Sequence, residues 1–291
     1  MNILVTGANG QLGRAIRELA VFSGAHFIFT DVSAVPGLDT VYLDITDKCA
    51  VSLIAQSEHV DLFVNCAAYT NVDGAEDDID MARLLNVTAV ANLAQVAKER
   101  EATLIHISTD YIFSGNLSRP IRENDEPNPC SVYGATKLAG ENEVQRAGCK
   151  ALIIRTSWMY SPFGKNFVKT MARLMEQKRK IKVVNDAVGT PTYAFDLAAV
   201  IIKIIDEGLY DRIGTYHFSN EGIASWYDLA VAVARLRGYT GSVLPVAGSE
   251  YPTRARRPAY SVLDKSLIKK TFDVVIPYWR DSLEECLKRM K

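Results

Sequence analysis

Tyr133 and Lys137 stand four apart in Tyr133-Gly134-Ala135-Thr136-Lys137, a spacing that puts a phenol and an ammonium on one face of a helix. A phenol near its reference pKa of about 10 exchanges protons poorly at neutral pH, and a nearby ammonium lowers that value by favouring phenolate. The pair suits proton delivery to an oxygen on which negative charge develops. The same spacing arises wherever an ordinary half-buried ring and a solvated lysine share a helix, so its meaning depends on its company. Ser108, Thr109 and Asp110 supply some. They follow the apolar run Leu104 to Ile107, and in open α/β sheets the ligand crevice lies beyond the carboxyl ends of the strands. There the two hydroxyls are placed to hydrogen-bond a substrate carbonyl, or else to satisfy strand-end backbone groups.

The elements that must position these groups begin at the N-terminus. The run Ile3-Leu4-Val5 leads into Gly7-Ala8-Asn9-Gly10-Gln11-Leu12-Gly13 and then a helical pattern through Leu19. Strand, glycine turn and helix in that order form a dinucleotide cradle: the glycines allow a tight turn and close backbone approach to a pyrophosphate, which the helix N-terminus then faces. Gly7, Asn9, Gly10, Gln11, Leu12 and Gly13 are the expected cofactor contacts. The next apolar run, Phe27 to Thr30, ends at Asp31, where such folds bind the adenosine ribose hydroxyls. A carboxylate there disfavours a 2′-phosphate and leans towards NADH, although Arg14 at the start of the first helix is placed to offset it. NADPH and NADH both remain open. Further on, Asp44 is a candidate adenine contact, and the small residues after the strand Val60 to Val64 let backbone approach a ligand, with Ala67, Ala68 and Tyr69 along the cofactor. A long helix is expected from about Ala82 to Glu99, with the polar Asn86 holding a water or a backbone group.

Beyond Tyr133, a strand at Ala151 to Thr156 precedes Ser157-Trp158-Met159-Tyr160, and helices are expected over Phe167 to Gln177, Asp196 to Ile205 and Trp226 to Leu236. The run Lys178-Arg179-Lys180 reads as a solvated helix end. Fewer strands and more loops here, with Tyr216-His217-Phe218 as one strand, indicate a smaller lobe. Its cluster Arg254, Arg256, Arg257 suits either bidentate phosphate binding or a solvated loop. The expected fold is α/β, a Rossmann-like doubly wound parallel sheet with a smaller C-terminal substrate-binding α/β lobe. Residues 1–156 would bind the dinucleotide and 157–291 mainly the substrate, with segments such as 190–215 returning to the first domain.

Composition narrows the class. With 33 basic and 34 acidic residues the net charge is −1, which points to neither nucleic acid nor an anionic membrane. No apolar run reaches the roughly 18 residues of a membrane span, and the chain opens on a strand pattern with no basic and apolar leader, so a cytoplasmic location is expected. Cys49, Cys66, Cys130, Cys149 and Cys286 are odd in number and lack CxxC spacing, and the four histidines are dispersed. Reduced structural thiols and no metal site are expected.

The glycine turn, Ser108 to Phe113 and Tyr133 to Lys137 together resemble the extended short-chain dehydrogenase/reductase superfamily. More narrowly, Gly10-Gln11-Leu12-Gly13, Asn65-Cys66-Ala67-Ala68-Tyr69-Thr70-Asn71-Val72-Asp73, Arg155-Thr156-Ser157-Trp158, Gly189-Thr190-Pro191-Thr192 and Arg257-Pro258 resemble the dTDP-4-dehydrorhamnose reductase family over essentially the whole chain. That resemblance implies NAD(P)H-dependent reduction of the 4-keto group of dTDP-4-dehydro-L-rhamnose. Tyr133 would donate the proton, Lys137 would lower its pKa and bind the nicotinamide ribose, and Thr109 would hydrogen-bond the keto oxygen. Ser108, Asp110, Trp158 and Arg257 would meet the nucleotide-sugar substrate. Gly74 and Cys66 depart from residues common in the family, and Ala15 lacks the acid some relatives use in a metal-bridged dimer. The sequence neither requires nor excludes a homodimer. Two alternatives stand beside this reading: another nucleotide-sugar epimerase, dehydratase or reductase of the superfamily, and a non-catalytic dinucleotide-binding regulatory subunit.

Overall fold

The computed structural model describes residues 1–290. The first half contains β1 (Asn2–Thr6), α1 (Gln11–Ala20), β2 (His26–Asp31), β3 (Val41–Tyr42), α2 (Lys48–Ser57) and β4 (Leu62–Asn65). After these come α3 (Gly74–Asp77), α4 (Ile79–Arg83), a π turn at Leu84–Thr88, α5 (Ala89–Glu99), β5 (Thr103–Thr109) and α6 (Val132–Ala147). The second half runs β6 (Lys150–Thr156), β7 (Met159–Tyr160), α7 (Phe167–Gln177), β8 (Lys180–Val184), β9 (Val188–Gly189), β10 (Thr192–Tyr193) and α8 (Ala194–Asp206). It ends with β11 (Gly214–Phe218), β12 (Ala224–Ser225), α9 (Trp226–Leu236), β13 (Ser242–Val246), α10 (Ser266–Phe272) and α11 (Trp279–Arg289).

Seven strands form the central sheet in the order β3-β2-β1-β4-β5-β6-β11, every pairing parallel. Parallel strands buried on both faces read as unbroken apolar runs, and Ile3, Leu4 and Val5 are fully buried. One face carries α1 packed on α8, and its core continues beneath α7, α9 and α11. The other face carries α2, α5 and α6 over Leu4, Phe63, Leu104 and Ile153. The chain reverses its direction of build-up between β1 and β4, and a ligand crevice opens at such a switch point. Three two-stranded pairs, β8 with β13, β9 with β12 and β7 with β10, make the remainder. Arg289 of α11 pairs with Glu18 of α1 at 2.9 Å, tying the last helix to the first.

Three local expectations change. The strand expected from Val60 starts at Leu62, because His59 turns left-handed (φ +49°) and the Val60 amide closes the end of α2 on the Ala55 carbonyl. The helix expected over Ala82 to Glu99 is broken by the π turn, which directs Asn86 at the backbone of Tyr69: Oδ1 accepts from its N–H at 2.9 Å and Nδ2 donates to its carbonyl at 3.2 Å. Tyr216-His217-Phe218, read as a strand of the smaller lobe, lies in β11 at the edge of the central sheet. Among the described residues no helix is long and apolar enough to cross a membrane, and no group of three His, Cys, Asp or Glu side chains is placed to hold a metal.

Candidate active site

A cleft of about 750 Å³ opens over the carboxyl ends of β1, β2, β4, β5 and β6. At one end stands the glycine turn. Gly7 has φ +64°, and a Cβ there would lie 2.6 Å from the Ala67 amide nitrogen; at Gly13 it would lie 2.5 Å from the Gly7 carbonyl oxygen. Only glycine permits this approach of β1, the β4 loop and α1. Gly7, Gly10, Gln11 and Leu12 line the cleft with Asp31, Asp44, Ala67 and Ala68. Bare backbone amides at a helix N-terminus, with carboxylates further along the groove, fit the pyrophosphate and ribose of a dinucleotide.

Asn9, Gly13 and Tyr69 do not line the cleft. Asn9 acts from behind, its amide donating to Asp31 Oδ2 at 3.0 Å and its side chain accepting from Thr40 at 3.1 Å. The Tyr69 hydroxyl packs beside Gly74, where an added Cβ would lie 2.9 Å from it. Asp31 also accepts from the Ser33 amide and hydroxyl at 2.9 and 2.7 Å, and Asp44 from the Thr46 amide and hydroxyl at 2.9 and 2.8 Å, so both carboxylates are fixed by their own turns. Arg14 does not approach Asp31: its guanidinium lies 3.9 Å over the Phe163 ring. Three residues on, Arg17 donates to the Thr40 hydroxyl at 2.9 Å, which in turn donates to Asn9.

At the middle of the cleft, β5 and α6 bring Thr109, Tyr133 and Lys137 together. Ser131 caps α6 by accepting from the Gly134 amide, and Gly134 itself leaves room for the Tyr111 carbonyl, which a Cβ would meet at 2.2 Å. Tyr133 packs edge-on against Tyr111, ring centroids 5.5 Å apart, and lines the cleft beside Thr109. Burial pushes that phenol above its ordinary value, against the pull of the neighbouring Thr109 hydroxyl. The expectation of a phenol lowered by Lys137 is therefore not met in the free chain. Lys137 instead donates to the Ile107 carbonyl at 2.7 Å, and burial lowers its ammonium to about 8, with Glu141 and Cys66 opposing. The Cys66 thiol, in the same floor, is pushed up to about 12 by burial and is inert.

Ser108 and Thr109 are the last residues of β5, not a turn after it. They separate in role. Ser108 donates its hydroxyl to Glu141, whereas Thr109 donates to Asp110 Oδ1 at 3.1 Å and accepts from the Tyr111 amide at 3.2 Å. Burial raises the Asp110 carboxyl to about 6 against the pull of the nearby Ser261 and Thr109 hydroxyls; Oδ1 accepts from Thr109 and Oδ2 has no partner. A buried acceptor of this kind suits a ligand hydroxyl.

The far end is walled by Trp158, a bulky residue at φ +47°, stacked on Trp226 at 3.6 Å between centroids. Arg257 lines the cleft while donating to the Tyr111 hydroxyl at 2.9 Å and Asp73 at 2.8 Å. Of the arginine cluster only Arg257 does so; Arg254 pairs with Asp77 outside. Sequence reasoning missed Trp226, Lys165 and Asn166, which also line the cleft. Asn166 is brought there by Gln11, whose side chain accepts from Ser161 at 3.0 Å and Asn166 at 2.9 Å and binds the glycine turn to the loop after β7.

A dinucleotide cradle on a parallel sheet, sharing its cleft with a Tyr-x-x-x-Lys helix, defines the extended short-chain dehydrogenase/reductase class. A family model, the RmlD substrate binding domain, matches residues 1–291. A dTDP-4-dehydrorhamnose reductase of Aggregatibacter actinomycetemcomitans is 38% identical over 97% of each chain. Among solved structures, a dTDP-4-dehydrorhamnose reductase of Clostridium acetobutylicum is 43% identical with TM-score 0.93, covering 100% of this chain and 99% of that one. One from Bacillus anthracis, in complex with NADP, is 36% identical with TM-score 0.87 over 99% of both. The chain belongs to the dTDP-4-dehydrorhamnose reductase family.

Proposed function

We propose that this chain reduces the 4-keto group of dTDP-4-dehydro-L-rhamnose to give dTDP-L-rhamnose, using NADPH or NADH, in the cytoplasm. The observation that carries the reading is the meeting of Thr109, Tyr133 and Lys137 in one cleft with the glycine turn. Residues 1–156 serve mainly the dinucleotide and 157–291 mainly the nucleotide sugar, with α8 returning to pack on α1.

The reduced nicotinamide supplies a hydride to the keto carbon when bound. Thr109 holds the keto oxygen, and Tyr133, kept protonated by its burial, delivers a proton to that oxygen as charge develops on it. Lys137, with a pKa of about 8, carries its charge at neutral pH and favours the phenolate left behind. Asp110 accepts a sugar hydroxyl, Trp158 forms the apolar wall, and Arg257 meets the nucleotide diphosphate.

The test mixes the protein with NADPH or NADH and dTDP-4-dehydro-L-rhamnose and follows loss of the reduced-nicotinamide absorbance. Tyr133→Phe is expected to keep cofactor affinity while turnover falls by about 10² or more. No oxidation with either cofactor would sink the assignment, and unchanged turnover in Tyr133→Phe would remove that residue from the mechanism.

A further inference from the structure

Glu141 lies one turn beyond Lys137 on α6 and is 1% exposed, with its partner Arg155 of β6 5% exposed. Arg155 grips it with Nε at 3.0 and 3.2 Å from the two carboxylate oxygens and Nη2 at 2.7 Å from one of them. The remaining guanidinium nitrogen reaches the Glu123 carbonyl at 3.0 Å and His217 Nε2 at 3.4 Å. A buried ion pair seldom adds stability over apolar residues of the same volume, so its presence asks for another reason. The third partner supplies one, because Ser108 on the cleft floor donates its hydroxyl to the same carboxylate.

The groups around Lys137 point the same way. From β5 come the Ile107 carbonyl, which accepts a hydrogen bond from the ammonium, and His106, whose imidazole is held neutral by burial and by the Lys137 charge. From the β4 loop comes Cys66, a neutral thiol at about 12. From α6 itself come Tyr133, protonated, and Glu141. Glu141 is thus the one anion among these neighbours, and its field opposes the burial that strips Lys137 of its proton.

We propose that Glu141 is a positioning residue for reduction: clamped by Arg155 one turn beyond Lys137 on α6, its carboxylate supports the Lys137 ammonium and fixes the Ser108 hydroxyl in the cleft floor. This rests on the role given to Lys137 above. Arg155 pairs with the carboxylate and tethers it through the Glu123 carbonyl to the loop that leads into α6. Ser108 then contributes to the shape of the floor and not to substrate binding.

The alkaline limb of kcat/KM against pH reads this directly. In the parent enzyme the limb follows loss of the Lys137 proton, and Lys137→Arg, which cannot lose it in this range, abolishes the limb in whatever activity remains. If Lys137→Arg leaves the limb in place, the role of Lys137 itself is wrong. Given that control, Glu141→Gln is expected to move the limb down by about one pH unit, while Glu141→Asp, which keeps the charge, restores it most of the way. Should Arg155 left unpaired prevent folding, Glu141→Gln with Arg155→Met removes the buried pair as a unit, and the limb still falls, by less than in Glu141→Gln alone because a cation leaves with the anion. A limb unmoved in the folded variant overturns the proposal and leaves Glu141 a structural residue.

Discussion

At the dinucleotide end of the cleft the backbone does the shaping, through Gly7, Gly13 and the adjoining Ala67, whereas at the sugar end the work falls to side chains from distant segments: Asp110 on β5's end, Trp158, Trp226 and Arg257. The first end is defined by atoms that must be missing. The second is defined by charges, hydroxyls and rings that other side chains hold in place, as Tyr111 and Asp73 hold Arg257 and Trp226 holds Trp158. The two ends should therefore fail differently: added volume destroys the first, and lost polar partners weaken the second by degrees.

The largest effect expected is at Gly7. A valine there meets the Ala67 amide at 2.6 Å from its Cβ alone and must adopt φ +64°, a conformation unfavourable for a β-branched residue. Gly7→Val should weaken NADPH and NADH binding by about 10² or more through displacement of the β4 loop, together with a lowered melting temperature. Titration by nicotinamide fluorescence checks it. Near-native affinity would show that backbone proximity does not set the dinucleotide end, and that the two ends do not differ in this way.

That contrast also explains what the sequence disclosed. The glycine turn and the Tyr133–Lys137 pair are local signals, since their spacing alone fixes a turn or a helix face, and both were legible. What escaped was non-local. Ser108 reads as a substrate donor until α6, 33 residues on, delivers Glu141 to it. Arg14 and Arg17 differ by less than one helical turn, and only the packing of Phe163 and Phe29 decides which faces which side. Trp226 opens α9, far from Trp158 in sequence, and nothing in either stretch announces the stack. The phenol of Tyr133 rises instead of falling because burial is a property of the whole fold.

A middle-sized effect probes the sugar end. Arg257→Met removes the cation while keeping much of the side-chain volume, leaving the Tyr111 hydroxyl and Asp73 without that donor. KM for the nucleotide sugar should rise by about 10-fold or somewhat more with cofactor Kd unchanged, since a charge-assisted contact is worth roughly 1.5–3 kcal/mol. Steady-state kinetics paired with cofactor titration separate the two. A cofactor Kd that moves with KM would mean that the two ends are coupled through the β4 loop carrying Asp73, and that they do not act as independent halves.

The smallest effect tests whether side-chain charge matters at all where backbone rules. Asp31 presents a carboxylate to the cleft, but both its oxygens already accept bonds, from Asn9, and from Ser33 twice. Its remaining influence is its charge, which repels a 2′-phosphate and attracts ribose hydroxyl protons. The Arg17 guanidinium, held over Phe29 at 4.0 Å, bonds Thr40, which donates to the same Asn9 whose amide meets Asp31. Asp31→Ala should therefore shift preference towards NADPH by only about fivefold, roughly 1 kcal/mol, with most of the change in Kd and little in turnover. Comparing Kd for the two cofactors in parent and variant measures the ratio. A shift of 10²-fold would place a side chain, not the backbone, in control of the dinucleotide end; no shift at all would mean that Arg17 already cancels the carboxylate there.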